Sequence, residues 1–344
     1  MKKQDGNSTT PRRARLSDVA REAAVSLGAA SKALSQPDAV RPKTLAAVRR
    51  AVEKLGYIPS DSGRALASRY TRMVGVVLPT IDNPVYATFV QVLQNTLSAE
   101  DHQLLALSHE YDREREVAIV ERLVGRGVDA FVLMGSSHDD RTIGRLQKLK
   151  LPHVLAWSSD EAPTHGSVGI SNRHAMRKPI DHLAELGHRC VGILVGDPEH
   201  NERSKWRLQG AREAIRRNGM QLVAVETVPL TIDGGRTGFQ ALDPLGKSIT
   251  ALVCVTDILA AGALDAARQA GISVPGQLSV TGFDDIELAS LMTPPLTTVR
   301  VPIAQMAIRT GEALLEMLRG GAVPKSYTLK TQFFVRGSTG PAAN

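Results

Sequence analysis

From Met73 onward the chain alternates short runs of continuous Val, Ile and Leu with longer amphipathic stretches, and this constrains the fold more than any other feature. MVGVVLP, HQLLALS, DAFVLMG and LPHVLAW come first, with helical patterns over 85–100 and 113–125 between them. CVGILVG, ALVCVTD and SVTGFDD form a second series, with helical patterns over 206–218, 236–242 and 259–270. A strand without polar alternation is buried on both faces, which only a parallel sheet covered by helices provides. Two such series predict two similar α/β lobes with a cleft between them.

The first 70 residues follow a different pattern. Apolar residues fall at helical intervals in three short bursts, with no β-branched alternation. A first helix is expected at Ser17, burying Val19, Ala20 and Ala23. Ser26 caps a second over 27–34 after a three-residue break, the helix-turn-helix layout. Pro42 opens a third that buries Leu45, Val48, Val52 and Leu55, and Gly56 ends it. Residues 1–14 read as a flexible basic arm, and 60–68 hold only Leu66 as a large apolar residue, too little to fold alone. At 344 residues, 42% of them hydrophobic, the chain is long enough for at least two domains. Its net charge of +7 is unevenly placed: residues 1–70 carry 14 basic and 6 acidic side chains, and residues 71–344 sum to −1. A basic surplus confined to a small helical unit is the footprint of polyanion binding.

Several chemistries lack support. Cys190 and Cys254 have no Cys-x-x-Cys spacing, so neither a disulfide framework nor a zinc site is indicated. The basic N-terminus precedes no apolar segment and no long apolar run occurs, so a cytoplasmic location is expected. ALDPLGKS, from Ala241, has phosphate-loop spacing, but a helix precedes it and a strand follows, the reverse of the order that aims helix amides at phosphate. His182 and His188 read as helix-face and helix-end residues, not ligands. The neighbouring pairs Asp139-Asp140 and Asp284-Asp285 are weak evidence for acid–base catalysis. No metal, cofactor or enzymatic role is expected.

LSDVAREAAVS, AVRPKTLAAVRRAVEKLGYIP and VGVVLPTIDNPVY resemble the LacI/GalR family of transcription regulators, with spacing that agrees without gaps. RGVDAFVLMG, HLAELGHRCVGILVGD, RLQGARE, VTDILAAGALDAARQAGISVPGQLSVTGFDD and PPLTTVRVP extend the resemblance over about residues 15–336. It implies an all-α helix-turn-helix headpiece at 15–58, a hinge at 59–71, a periplasmic-binding-protein-like effector domain of two parallel-sheet lobes at 72–336, and a tail at 337–344. It further implies a repressor that binds a pseudo-palindromic double-stranded DNA operator as a homodimer, under control of a sugar or sugar-acid effector. The same lobes would serve a sugar-binding protein of a transport system, which needs an export signal.

By the same resemblance the second helix lies in the major groove, with Leu27, Gly28, Ser31 and Lys32 at the readout surface and Ser17 and Ser26 at the helix starts beside it. Leu66 matches a hinge residue that wedges into the minor groove. Gly28 and Ala29 stand where the family has longer polar side chains, Lys32 where Arg is common, and Ala24 where the turn has Gly. Arg41 replaces a Ser or Thr cap, and Asp61 and Gly63 depart from the hinge pattern. Arg207 and Asp284 match the ligand-gripping pair, and Tyr86, Trp157, Asp233 and Thr256 fall at further cleft positions. In ERSKWR, Arg203 and Lys205 add two cations at a helix start, a place whose free N–H groups favour anions. An effector carboxylate would use that charge at Arg203.

Overall fold

The computed structural model describes residues 14–58, 70–160, 166–322 and 325–342, and divides the chain into two compact units, residues 1–71 and 72–344. Residues 1–13 of the expected arm and the 60–68 segment with Leu66 lie outside the described residues.

The first unit contains α1 (Leu16–Glu22), α2 (Leu27–Ser35), a 3-10 turn (Pro37–Ala39) and α3 (Pro42–Leu55). Its core is small side chains, Val19, Ala20, Ala30, Ala33, Val48 and Ala51, with Leu16, Leu45, Val52 and Leu55 half-buried around them. Short helices that cross closely leave room for Ala and Val but not for Leu. Ser26 caps α2 by accepting the Ala29 N–H at 3.1 Å. Gly56 ends α3 in the left-handed region at φ +57°. The expected cap at Ser17 is not made: α1 starts one residue earlier, and the Arg15 N–H donates to the Asp18 carboxylate at 2.9 Å. An acidic side chain three residues along satisfies the helix start and leaves Ser17 exposed on the first turn.

The second unit begins with β1 (Met73–Leu78), α4 (Pro84–Ser98), β2 (Gln103–Ser108), α5 (Arg113–Gly125), β3 (Ala130–Met134), α6 (Asp140–Lys148), β4 (His153–Ser158) and β5 (Ser167–Ile170). The second lobe follows with α7 (Asn172–Ala175), α8 (Arg177–Glu185), β6 (Cys190–Val195), α9 (Glu202–Arg217), β7 (Gln221–Thr227), α10 (Ile232–Leu242), β8 (Ala251–Cys254), α11 (Asp257–Gln269) and β9 (Ser279–Thr281). The chain ends through β10 (Thr298–Arg300), α12 (Ile303–Leu318), β11 (Tyr327–Thr328) and β12 (Gln332–Phe334).

The first lobe's sheet is parallel, in the order β11-β5-β4-β3-β1-β2, and the second lobe's is parallel in the order β7-β6-β8-β9. All five residues of β3 are buried, as its unbroken apolar run requires. The lobes are not consecutive halves of the chain. α12 packs on α4, and β11 joins β5 in the first sheet, before β12 pairs antiparallel with β10. Residues 337–342 of the tail expected at 337–344 are stitched into the second lobe. Ser338 is buried and donates to the Val280 carbonyl at 2.6 Å, and the Ala342 N–H donates to Leu186 O at 2.9 Å. α9 and α11 begin before their first large apolar residue because Asn201 and Thr256 cap them. At ALDPLGKS the chain leaves α10 and turns into β8, with no helix after the Gly-Lys pair.

Candidate functional site

In an open parallel sheet the loops leaving the carboxyl ends of the strands form the crevice where ligands bind. Loops of that kind from both lobes meet around one cavity. From the first lobe come Asn83 and Tyr86 at the start of α4, Tyr111 after β2 and Trp157 on β4. From the second come Asn201, Arg203, Ser204 and Arg207 around the start of α9, Thr256 after β8 and Asp284 after β9.

Arg203 and Arg207 are four residues apart and therefore share the buried face of α9 with Ala211 and Ile215. Lys205 falls on the opposite face, exposed, with its ammonium 5.4 Å from the Trp206 ring centre. The Arg207 guanidinium is held on four sides: Nε donates to Asn172 Oδ1 at 3.0 Å, Nη1 to the Val255 carbonyl at 2.7 Å, Nη2 lies 3.2 Å from Asp284 Oδ1, and the Phe283 ring stacks at 3.8 Å. Burial pushes the Asp284 carboxyl up to about 6 against the pull of Arg207. Asp284 Oδ1 is buried and faces Arg207 without a hydrogen bond of proper angle, so it retains an open acceptor.

Asp284 occupies a strained backbone position, φ +117°, and Asp285 follows at +54°. Two devices hold them. Asp285 pairs with Arg300 at 2.6 Å and Arg336 at 2.7 Å, so the two adjacent carboxylates serve different partners. Asp257, fully buried at the start of α11, accepts the Ile286 N–H at 2.8 Å and the Thr298 hydroxyl at 2.5 Å, while its own N–H donates to Phe283 O at 2.8 Å. A Cβ on Gly282 would stand 2.2 Å from the Asp257 carboxylate, so the loop can sit there only as glycine. Burial, with Asp284 adding to it, pushes the Asp257 carboxyl up to about 7.

Glu202 and Arg203 bind the second lobe to the first. Glu202 Oε1 accepts the Ser136 N–H at 3.2 Å, and Arg203 Nη1 donates to Glu202 at 3.0 Å and to the Met134 carbonyl at 3.4 Å. Gly135, at φ +110°, admits both side chains, since a Cβ there would lie 2.6 Å from Glu202 and 2.7 Å from Arg203. The receiving turn is itself fixed: His138 Nδ1 lies 2.9 Å from Glu116 Oε2 and Nε2 3.3 Å from Gly135 O. The helix start itself is occupied. Asn201 Oδ1 accepts the Arg203 and Ser204 N–H groups at 3.1 and 3.4 Å, so the anion preference expected from free amides is already met by the chain.

Trp157 is 1% exposed at φ +89°, with ring centres 4.9 Å from Tyr86 and 5.8 Å from Phe89. Its ring is packed on aromatic neighbours, so it supplies the wall of the cavity more than an open stacking face. Burial keeps the Tyr86 hydroxyl protonated far above the ordinary range. Thr256 lines the cavity while its hydroxyl accepts the Leu259 N–H at 3.3 Å.

Of the effector residues expected from sequence, Tyr86, Trp157, Arg203, Arg207, Thr256 and Asp284 line this cavity and Asp233 does not. Asp233 lies on the first turn of α10, exposed, because the Thr231 cap sets a helix register that turns it outward and leaves Leu230 at the cavity. Tyr111, Asn83, Asn201 and Glu202 escaped sequence reading. The two asparagines were legible as helix caps, whereas nothing local marks Tyr111 or the Glu202 contact across the cleft. In the first unit Leu27, Gly28, Ser31 and Lys32 are exposed on one side of α2, with Ser17 and Ser26 also exposed, while Ala30 and Ala33 face the core. Among the described residues no cluster of His, Cys, Asp and Glu could hold a metal ion, and no helix is long and apolar enough to cross a membrane.

Residues 15–60 match the family model of bacterial regulatory proteins, lacI family, and residues 180–339 match that of the periplasmic binding protein-like domain. An HTH-type transcriptional regulator from the aml 5' region of Streptomyces limosus is 33% identical, over 97% of this chain and 96% of its own. The transcriptional repressor CytR of Escherichia coli K12 is 30% identical over 95% and 96%. The crystal structure of the lac repressor dimer bound to operator and the anti-inducer ONPF superposes with a TM-score of 0.84 at 25% identity, over 96% of this chain and all of that one. The chain belongs to the lacI family of bacterial regulatory proteins, DNA-binding transcription regulators that respond to ligands.

Proposed function

We propose that this regulator represses genes of carbohydrate or sugar-acid metabolism by binding a pseudo-palindromic operator as a dimer, with occupancy set by a polyhydroxylated effector in the cleft. The observation that carries the reading is the cavity: six of seven residues expected to grip an effector converge there from both lobes, around the Arg207–Asp284 pair. A polyol needs fixed donors and acceptors on several sides, because each polar group left unpaired on closure costs about 1–3 kcal/mol. The cavity offers Arg, Asp, Asn, Ser, Thr and Tyr side chains against a Trp wall.

In the first unit, α2 presents Leu27, 54% exposed, beside Gly28, Ser31 and Lys32. Leu27 suits a thymine methyl in the major groove, Lys32 a phosphate, and Ser31 either. Residues 15–58 act as the DNA-binding domain, 59–71 as the hinge and 72–342 as the effector and dimerisation domain. Effector binding changes lobe closure, and the coupling to DNA is expected at about 1–3 kcal/mol. The experiment is a gel shift of the full chain against genomic fragments upstream of its own and neighbouring genes, at physiological salt, with and without sugars. A specific shift that a sugar or sugar acid changes supports the reading. No specific shift under any of these conditions refutes it.

A further inference from the structure

We propose that Asp160, in the loop after β4, is a positioning residue for the cleft: it fixes the side-chain amide of Asn172 where the chain crosses between the lobes, and so aims Asn172 Oδ1 at the guanidinium of Arg207. This rests on the reading of the cavity as the effector site, whose central arginine it orients.

The Asp160 carboxylate collects donors from both sides of the crossover. Oδ1 accepts the Ser171 hydroxyl at 2.7 Å and the Arg173 N–H at 3.0 Å. Oδ2 accepts the Asn172 N–H at 2.6 Å, Asn172 Nδ2 at 3.1 Å and, from the end of β4, the Ser158 hydroxyl at 3.4 Å. Capping alone does not ask for this set, since the Ser171 hydroxyl already caps α7 by accepting the His174 N–H at 3.1 Å. What Asp160 adds, beyond two more backbone amides, is the bond to the Asn172 side chain. An amide has one accepting and one donating end, and its partners decide which way it lies. A carboxylate only accepts, so Asn172 turns Nδ2 to Asp160 and Oδ1 to the other side, where Arg207 Nε donates to it at 3.0 Å. Turned over, the same amide would set an N–H donor against the Arg207 Nε–H.

Asn172 is fully buried, and α7 is docked on α9, the helix that carries Arg207. A Cβ on Gly210 of α9 would stand 2.1 Å from the Arg173 carbonyl oxygen, and Arg173 Nε donates to Glu213 at 2.9 Å. Asn172 and Arg207 therefore belong to one packed piece of the second lobe, whereas Asp160 belongs to the first. A line of polar contacts runs from Asp160 through Asn172 and Arg207 to Asp284, from the first lobe into the cavity. Groups that touch a ligand keep a productive geometry only where supporting bonds of this kind lock them.

The test is a double-mutant cycle on the full chain, read by NMR as the exchange of the Arg207 Nε–H with water. Asp160→Ala releases the amide and should speed that exchange about 10-fold or more, as the loss of one hydrogen bond to a charged group implies. Asn172→Asp in the otherwise unchanged chain sets two carboxylates against each other and should lower the melting temperature. Combined with Asp160→Ala, it should instead restore the slow exchange, because a carboxylate accepts from Arg207 whichever way it turns. If Asp160→Ala alone does not fold, recovery of the fold in the double variant reads the same rescue. Titration with D-ribose, D-glucose and D-galactose follows the cycle: a sugar bound by the unsubstituted chain should bind about 10-fold more weakly to Asp160→Ala and recover in the double variant. Unchanged exchange in Asp160→Ala, or losses that add in the double variant as they would for a helix cap alone, would overturn the proposal. The resonance needs neither sugar nor operator, so it decides the role of Asp160 even in a chain that shifts no DNA, a result that would sink only the proposed regulator.

Discussion

The two units treat charge in opposite ways. Every described lysine and arginine of the first unit is exposed, over a core of Val and Ala. The second unit buries Arg203, Arg207, Asp257, Asp284 and Glu116 among its larger apolar residues. Exposed cations stay hydrated, are screened over about 8 Å at physiological salt, and suit a partner whose phosphates are many and alike. Buried charges are fixed in direction and unscreened, which suits a small ligand that must be told from its near relatives. On the proposed function, affinity for a polyanion and discrimination of a metabolite are separated by how much water each set of charges retains.

The severest way to break this comparison is Arg207→Ala. The substitution removes the partner of Asp284, the bonds to Asn172 and Val255, and the stacking on Phe283. Breaking a buried ion pair by deleting one member costs about 3–5 kcal/mol, because the other charge is left uncompensated. Calorimetry should show the unfolding transition of the second unit lowered and the effector response lost, with operator binding by the first unit retained. Loss of DNA binding along with the response, in a protein still folded, would contradict the separation of tasks.

A second test uses pH. The Asp257 carboxyl, pushed by burial to about 7, holds its proton more tightly in the folded than in the unfolded chain. The folded state therefore binds more protons between about pH 4, the ordinary carboxylate range, and pH 7. Its contribution to stability is fully present below that window and is lost as pH rises through it, and Asp284, raised to about 6, acts in the same sense. The melting temperature of the second unit should fall between pH 5 and 8, and Asp257→Asn should flatten that fall while weakening the bond to Ile286. An equal fall in the variant would show that Asp257 is ionised throughout.

Both predictions concern residues that were unequally legible in sequence. The parallel sheets followed from unbroken apolar runs such as AFVLM, because a strand buried on both faces has no other composition. Arg207 and Asp284 were marked by the stretches that carry the family resemblance. Asp257 was not: its role depends on Ile286 and Thr298, contacts 29 and 41 residues away that only the closed fold brings together. Glu202 escaped for the same reason, since its partner is the Ser136 backbone in the other lobe. Asp233 stands outside the cavity for a different reason, because a helix start fixes where side chains point and a shift of one position turns a side chain about 100°. The return of α12 and β11 to the first lobe was hidden by the shortness of β11, two residues, which carries no periodicity to read.

The smallest effect sharpens the comparison from the side of the first unit. Ala24 stands in the turn between α1 and α2 at φ +52°, exposed, with its N–H donating to Arg21 O at 3.2 Å. That region crowds a Cβ against the backbone at a cost of about 1–2 kcal/mol, which glycine does not incur. Glycine also has more freedom to lose on folding, which offsets about 0.5–1 kcal/mol of the gain. Ala24→Gly should therefore stabilise the first unit by about 0.5–1 kcal/mol, a rise of a few degrees in its melting transition. The transition of the second unit should not move. With the readout surface of α2 untouched, operator affinity should change less than stability does. If the first unit melts no higher, the left-handed turn is relieved elsewhere. If instead DNA binding weakens while stability rises, the stiffness of an alanine turn belongs to the readout, and exposed charge over a small core is not all that this unit contributes.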